Sequence, residues 1–144
     1  MNLLKIRDGA TKLFFPDIIK AIMIEGEIVD LNDRLVKLKS RKSVITVEKP
    51  ENIGTEELFP GKKVNLSVRP EKISIHQNKL NLSNVFSGVV SGSFFLGVEQ
   101  KIKVETDDKF DLMVRVQETK GSRVFHQGER VKVGWGEEAG NIFF

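Results

Sequence analysis

The side chains that could act as a nucleophile, a base or a metal ligand are few and widely spaced in this chain of 144 residues. Cysteine is absent, and the two histidines, His76 and His126, lie fifty positions apart beside predicted strand ends. The paired acids at 107–108 and 137–138 fall at predicted turns, where carboxylates are normally hydrated. The patterns GxxxxGK[ST], GxSxG, HExxH and CxxC do not occur. We therefore predict a non-catalytic protein that has no metal site and no cofactor of its own.

The most distinctive polar motif is Arg69-Pro70-Glu71, which separates two short apolar segments. Pro70 has no N–H to donate to a strand ladder, so it predicts a bend between two strands. Arg69 and Glu71 flank that bend. They either pair with each other, which contributes about 0–1 kcal/mol at a surface, or they contact a partner or ligand. The residue types alone leave both interpretations open.

A basic cluster occupies a nine-residue stretch without an acid and consists of Arg34, Lys37, Lys39, Arg41 and Lys42. Small β-barrels bind single-stranded nucleic acid through a basic groove combined with stacking aromatics. Residues 31–48 contain no aromatic side chain. The cluster is therefore better explained as the solvated face of a strand pair, with Leu35, Val36 and Leu38 facing inward. We expect no nucleic-acid partner and keep single-strand binding only as a third hypothesis.

The composition is that of a soluble globular protein. Apolar residues make up 40% and charged residues 30%, and the net charge of +3 permits an acidic partner without requiring one. No apolar run approaches the roughly eighteen residues needed to span a bilayer. The opening MNLLKIRDG is not followed by the apolar segment of a signal peptide. We expect a cytoplasmic protein.

Alternation of apolar and polar residues is the dominant local pattern and predicts half-buried strands. It is clearest at 64–68, 73–75, 102–104 and 131–133. The polar segment 106–109 lies between the β-rich segments 98–105 and 110–117, which predicts a hairpin. Helical signals are few. Residues 17–23 fit a short helix or a buried strand, and residues 55–58 fit one helical turn at most.

The sequence contains two copies of a β-rich unit of about sixty residues. Residues 61–75 (GKKVNLSVRPEKISI) are matched 67 positions later by residues 128–142 (GERVKVGWGEEAGNI), and IEGEIVD at 24–30 is matched by FSGVVSG at 86–92. The corresponding positions are Gly61 and Gly128, Val64 and Val131, Leu66 and Val133, Val68 and Trp135, and Ile75 and Ile142, with Phe59 and Phe125 ahead of them.

The duplication predicts an all-β fold of one or two small OB-like barrels, built from two repeats at 24–76 and 86–144. Residues 1–23 form an N-terminal extension in this scheme. Glycines inside or beside predicted strands, at 26, 88, 92 and 97, indicate the bulges and bends that small barrels need. Spacing alone does not decide whether the two copies close separately or interleave their strands. Because Trp135 occupies the position of Val68, we expect it, like Phe94-Phe95-Leu96, in the core or an interface.

Four motifs in order carry a resemblance to a known family: VRPEKISI at 68–75, FSGVVSGSFFLG at 86–97, VRVQ at 114–117 and FHQGERVKVGW at 125–135. Together they resemble the C-terminal TOBE (transport-associated OB) domain of ABC-importer ATP-binding subunits, in its spermidine/putrescine-importer version. The similarity runs from Gly26 to about Phe143 and is strongest over residues 61–135. The family's Walker and signature elements are missing, and residues 1–23 match nothing in its upstream ATPase domain. The chain is thus either an excised regulatory fragment or a free-standing relative.

The resemblance implies a regulatory and dimerisation domain that hydrolyses no ATP itself. Its expected partners are the nucleotide-binding domain and membrane subunits of an importer, a second copy of the chain, and in some relatives a small effector. It would then lie at the inner face of the cell membrane through that complex, and ATP and Mg²⁺ would bind only in the absent nucleotide-binding domain. The candidate ligand or interface residues are Arg69, Glu71, Phe95, Gly97 and Trp135.

The main alternative is a free-standing protein that binds a small oxyanion such as molybdate. Backbone amides, hydroxyls and a Lys or Arg would coordinate such an anion. Both functions are compatible with a duplicated β-barrel.

Overall fold

Ten antiparallel strands form the part of the chain that the computed structural model describes, which is residues 22–51, 57–117 and 124–144. The first half contains β1 (Ile22–Leu31), β2 (Leu35–Ser40), β3 (Ser43–Glu48), β4 (Lys63–Val68) and β5 (Ser74–His76). The second half contains β6 (Asn84–Leu96), β7 (Glu99–Thr106), β8 (Asp111–Gln117), β9 (Arg130–Trp135) and β10 (Gly140–Phe143). Short 3₁₀ turns at Pro70–Lys72 and Glu137–Ala139 precede β5 and β10. The predicted all-β fold of two duplicated OB-like units is confirmed.

The predicted hairpin is β7–β8, and its turn lies where the polar segment 106–109 placed it. The ambiguous segment 17–23 ends in strand, because β1 begins at Ile22. Its remaining residues lie outside the described part of the chain, as do the first two residues of the predicted turn at 55–58 and residues 1–21 of the predicted extension.

The two half-units exchange their last strands. One five-stranded sheet has the order β10-β4-β1-β2-β3, and the other has the order β5-β9-β6-β7-β8. β5 follows β4 in the chain but pairs with β9, and β10 follows β9 but pairs with β4. The connections that cross between the sheets are the two segments that contain the 3₁₀ turns. The copies therefore interleave, which answers the question that the spacing left open.

The backbone reproduces the duplication in detail. β1 has an irregular register between Ile28 and Asp30 where it pairs with β2, and β6 has the same irregularity between Val90 and Gly92. Ile28 exchanges hydrogen bonds with the turn before β4 at 2.7 and 2.9 Å, and Val90 does the same with the turn before β9 at 2.8 and 2.9 Å. Each of these turns contains a glycine with positive φ, Gly61 at 97° and Gly128 at 91°. The glycine is needed there because other residues rarely adopt this conformation.

The same correspondence corrects the matching of the two phenylalanines. The amide of Lys62 donates to the carbonyl of Phe59, and the amide of Glu129 donates to that of His126. Phe59 therefore corresponds to His126, and Phe125 corresponds to Leu58. Leu58 and Phe125 are both buried, whereas Phe59 is half exposed. The core position, rather than the residue type, is what the two copies share.

One continuous core connects the two sheets. Alternate residues of the long strands point into it, including Val36 and Leu38 of the predicted strand pair in the first half. The larger fully buried side chains are Trp135, Ile28, Leu38, Ile45, Leu66 and Ile102. Burial of such side chains contributes roughly 1.5–3 kcal/mol each relative to exposure. Since the core draws on both halves, the half-units stabilise each other.

Two polar contacts add specificity to this packing. The buried Asn84 side chain accepts a hydrogen bond from the Thr46 amide at 2.7 Å and donates one to the Thr46 carbonyl at 2.9 Å. It therefore pairs with both backbone polar groups of this residue in the edge strand β3. In the β2–β3 turn, the Arg41 guanidinium lies 4.6 Å from the centre of the Phe110 ring and donates to the Asp108 and Lys109 carbonyls. The Asp108 carboxylate in turn accepts from Ser43 Oγ at 2.8 Å.

We predict that Gly134→Ala destabilises the fold by about 1–3 kcal/mol, the usual cost of overpacking. A Cβ at this position would lie 2.3 Å from the Asn84 carbonyl oxygen, which belongs to the backbone of the neighbouring strand and cannot rotate away. Gly92→Ala is the matched control, because its Cβ would come no closer than 3.6 Å to another residue. Urea denaturation followed by far-UV circular dichroism measures both. Equal unfolding free energies for the two variants would contradict the assignment.

Candidate functional site

The crossing segment between β4 and β5 carries the polar motif selected from the sequence. Arg69 precedes the 3₁₀ turn in an extended conformation, and its carbonyl accepts from the Lys72 amide at 2.9 Å. Its side chain is exposed and forms no ion pair or hydrogen bond with any residue that the structure describes. Glu71 does not pair with Arg69. Its carboxylate lies 3.8 Å from the Arg115 guanidinium of β8 instead.

Arg115 attaches this crossing segment to the second sheet. Its Nη2 donates to Glu99 Oε1 at 2.9 Å, its Nε donates to the other oxygen of the same carboxylate, and its Nη1 faces Glu71. A two-pronged guanidinium–carboxylate contact of this kind fixes orientation better than a single bond does. Sequence reasoning missed both Arg115 and Glu99. The predicted β7–β8 hairpin held the signal, since the register pairs Glu99 with Gln117 and thus makes Arg115 its diagonal neighbour.

The paired acids, expected to be hydrated, engage in intramolecular contacts. Glu137, in the second crossing segment, accepts from Arg34 at 3.5 Å and from Ser83 at 3.2 Å. Asp107 receives two hydrogen bonds from Arg130, at 3.0 and 3.1 Å. With Asp108, which binds the β2–β3 turn, three of the four carboxylates at these turns hold loops together.

Arg130 also sets the acidity of Asp107. Its hydrogen bonds have the largest effect and lower the pKa of Asp107 below the ordinary value of 3.8. Desolvation opposes them, and the positive charges of Arg130, Lys132 and Lys109 lower the pKa further. A depressed folded-state pKa means that the pair stabilises the fold above the unfolded-state pKa, and that this contribution is lost as the pH falls through the folded-state pKa. Both side chains are more than half exposed, so screening keeps the contribution small.

Trp135 lies at the end of β9, where the second crossing segment begins. Its side chain is 1% exposed and stacks on the Phe86 ring at a centroid distance of 5.3 Å. Its carbonyl accepts from Asn84 Nδ2 at 3.2 Å, while its indole Nε1 is buried without a hydrogen-bond partner. The structure thus places Trp135 in the core rather than at a surface.

Phe95 and Gly97 lie at the tip of the β6–β7 hairpin, outside both crossing segments. Gly97 has a φ of +66°, as the tight turn requires. The expectation that Phe94-Phe95-Leu96 belongs to the core or an interface is wrong for the core, since these side chains are 50–53% exposed and Val98 is 68% exposed. Here β6 has continued beyond its pairing with β9, which ends at Val89, and is hydrogen-bonded to β7 alone. The corresponding β1–β2 turn has the polar sequence Asn32-Asp33-Arg34.

Residues 22–51, 57–117 and 124–144 contain no cluster of three His, Asp or Glu side chains positioned to hold a metal ion. Nor does the structure, over those same residues, include a helix long and apolar enough to cross a bilayer.

Comparisons with known proteins agree with the duplicated barrel. The TOBE domain family matches residues 66–143, which is more than half of the 144 residues. Among solved structures, the chain is similar to the cytoplasmic molybdate-binding protein ModG with molybdate bound, with a TM-score of 0.71 and 11% sequence identity. That alignment covers 87% of this chain and 96% of the ModG chain, and at this identity it shows a shared fold. None of the curated protein sequences matches significantly.

We predict that Trp135→Ala lowers the free energy of unfolding by about 3–5 kcal/mol, the range for truncating a buried aromatic residue. Phe94→Ala removes the same kind of side chain from the exposed hairpin tip and should change stability by no more than about 0.5 kcal/mol. Urea titration monitored by far-UV circular dichroism compares the two variants. A loss below about 1 kcal/mol for Trp135→Ala would show that the indole does not support the core.

Proposed function

Because the chain belongs to the TOBE-domain family, we propose that it is a non-catalytic regulatory module for the ATP-binding subunit of an ABC importer. The match over residues 66–143 carries this proposal, since it includes the Arg69-Pro70-Glu71 turn, the β6–β7 hairpin and the second crossing segment. The polyamine-type importer, the spermidine/putrescine class, is the finer assignment and rests on the ordered motifs at 68–75, 86–97, 114–117 and 125–135. The module would act at the inner face of the membrane through its importer complex.

Arg69 is the side chain best suited to a polar contact with a partner. It is exposed and unpaired within the described residues, and it projects from a turn whose neighbour Glu71 is held by Arg115. A guanidinium recognises carboxylate or phosphate groups in a fixed forked geometry. Because the turn is already anchored, binding would restrict the Arg69 side chain without having to order the backbone around it. Arg69 and Glu71 therefore remain the candidates for the interface with an importer subunit.

The β6–β7 hairpin tip is the candidate for the apolar part of the interface. Phe94, Phe95, Leu96 and Val98 are all exposed beside Gly97. Exposed apolar side chains grouped in this way are candidates for a contact surface. A second copy of the chain or the nucleotide-binding domain would bury them. An effector would then regulate ATP hydrolysis by favouring one of two arrangements of that interface, to the extent of its differential affinity.

The proposal includes no nucleic-acid partner. Two of the basic cluster's side chains have intramolecular roles, since Arg34 pairs with Glu137 and Arg41 covers Phe110. Lys39 lies directly opposite Glu27 in the β1–β2 register. What remains of the cluster lacks the stacking surfaces that single-strand binding requires.

The expected outcome of a copurification experiment is an ABC ATP-binding subunit in complex with the chain. The tagged chain is produced in its source organism, and subunits that purify with it are identified by mass spectrometry. ATP hydrolysis of the isolated ATP-binding subunit is then measured with and without the purified chain, and a change in rate is expected. The variant Arg69→Glu should reduce both association and the rate effect, whereas Lys103→Glu, on the exposed outer face of β7, should reduce neither. Equal recovery of the subunit with both variants, or no ABC subunit at all, would contradict the proposal.

A second candidate function is the binding of a small oxyanion. It is favoured by the ModG comparison, because the similarity covers 96% of a chain that is itself a molybdate-binding protein and not only a domain within one. The same duplicated fold is thus sufficient to bind an oxyanion in another protein. Regulation of an importer and oxyanion binding are also compatible, since the anion would be the effector.

Calorimetry separates the two candidates. Titration with molybdate, sulfate and spermidine should give a nanomolar-to-micromolar Kd for at least one anion if the oxyanion function holds. Heat from spermidine alone would support the polyamine assignment. No heat from either anion at millimolar concentration would exclude the oxyanion function and leave regulation by protein contacts.

A further inference from the structure

Three hydrogen-bond donors stand in a row across three adjacent strands on the outer face of the second sheet. Lys132 in β9 is the register partner of His76 in β5 and of Ser87 in β6. Neighbouring strands lie about 4.8 Å apart, so the row spans about two such spacings. Val131 and Val133 point into the core, which leaves Lys132 on the outside. We call this group the donor row.

The donor row has hydrogen atoms available for an acceptor. Lys132 Nζ donates one of its hydrogens to Ser87 Oγ, and an ammonium carries three. Ser87 accepts that bond, so its own hydroxyl hydrogen is free to donate. Neither side chain forms an ion pair or a hydrogen bond with a carboxylate within the described residues. The two therefore form an ordered, positively charged pair whose remaining hydrogen atoms can be donated to an anion.

The local backbone sets the tautomer of His76. Its Nδ1 accepts hydrogen bonds from the amides of Asn78 at 3.0 Å and Lys79 at 3.2 Å. An Nδ1 that accepts carries no hydrogen, so in the neutral imidazole the hydrogen lies on Nε2. The side chain is exposed, and Nε2–H is left to act as a third donor at the end of the row.

The charge around the row favours an anion. The carboxylate of Asp107 is close enough for the charge of Lys132 to lower its pKa, and the Asp107 amide donates to the Ser87 carbonyl at 2.8 Å. Arg130 binds this carboxylate through two nitrogens, at 3.0 and 3.1 Å. Lys132, Arg130 and Asp107 together carry one net positive charge, and Arg130 already occupies both carboxylate oxygens. An incoming anion would therefore meet Lys132 without displacing an existing ion pair.

The duplicated unit shows that the fold does not require these residues. By the correspondence of the two halves, the positions of His76, Lys132 and Ser87 are occupied in the first sheet by Phe143, Asn65 and Glu25. The same backbone thus carries an apolar, an amide and an acidic side chain there. The lysine and its two neutral donors belong to one copy only, as expected for a ligand site rather than for a structural requirement.

We propose that the donor row of His76, Lys132 and Ser87 binds a tetrahedral oxyanion, with Lys132 as the charged anchor. The inference rests on the oxyanion function proposed above and assigns that function to one face of the molecule. A lysine ammonium and neutral N–H and O–H groups can all donate hydrogen bonds to an oxyanion, and those to the charged partner are the stronger ones.

The test combines calorimetry with NMR on the full chain, using molybdate, sulfate and phosphate as separate titrants. For an anion that binds, Lys132→Gln should weaken the affinity about tenfold or more, because a charge-assisted hydrogen bond is lost. Ser87→Ala should weaken it by a smaller factor. Lys103→Gln, which removes an exposed lysine from β7 of the same sheet, is the control and should change the affinity by less than about twofold. Amide shifts should concentrate at 74–76, 85–87 and 130–134.

The outcomes distinguish the site from the function. If the anion binds the wild-type chain with the same affinity as Lys132→Gln, or if the shifts lie elsewhere, the donor row is not the site, although oxyanion binding stands. If none of the three anions binds the wild-type chain, both the site and the oxyanion function are overturned. Circular dichroism of each variant confirms that its fold is intact before the affinities are compared.

Discussion

The exchange of β5 and β10 is the constraint on which the rest of the structure depends. Each five-stranded sheet takes its last strand from the other half of the chain, so neither half can complete its own sheet. The crossing segments are short, and each contains a single 3₁₀ turn. They hold the ends of β4 and β9 close to the opposite sheet. Trp135, Asn84 and Arg115 are the residues that stabilise this arrangement, through burial, a strand-like amide contact and a guanidinium bridge.

Duplication on a shared backbone allows the two copies to diverge wherever the exchange does not depend on them. The turn glycines and the irregular registers of β1 and β6 are the same in both halves because they shape the strands. The side chains on the outer faces, the crossing turns and the hairpin tips differ. One copy has an exposed arginine at its crossing turn, and the other has a tryptophan that closes the core. These differences, rather than the repeated features, are where ligand and partner contacts can be specified.

Strands and hairpins, which depend on residues close together in the chain, could be predicted from the sequence. Contacts that form only through the exchange of β5 and β10 could not. Strands such as 64–68 and 131–133, and the β7–β8 hairpin, follow from alternation and a polar turn, which are local signals. The exchange leaves no such signal, because β5 and β10 have only three and four residues and their Ile75 and Ile142 fit either sheet equally well. The partner of Glu71 could not be predicted for the same reason, since Arg115 comes near only after the chain has crossed. Phe94 and Phe95 were expected in the core or an interface, but they are half exposed, since β6 pairs with β9 only as far as Val89 and continues beyond it beside β7 alone.

The exchange also bears on how a bound effector could influence a partner. The donor row includes β5, which belongs to the first half of the chain, and β6 and β9, which belong to the second. Arg69 lies a few residues ahead of β5, on the segment that leads into the row. An anion that bridges His76 and Lys132 would therefore tie down the strand that follows the Arg69 turn. Any partner that prefers one position of this turn would then bind with altered affinity, and by linkage it would change the anion's affinity by the same factor. A duplicated barrel whose halves did not exchange strands would place the turn and the row in separate units, without this direct connection.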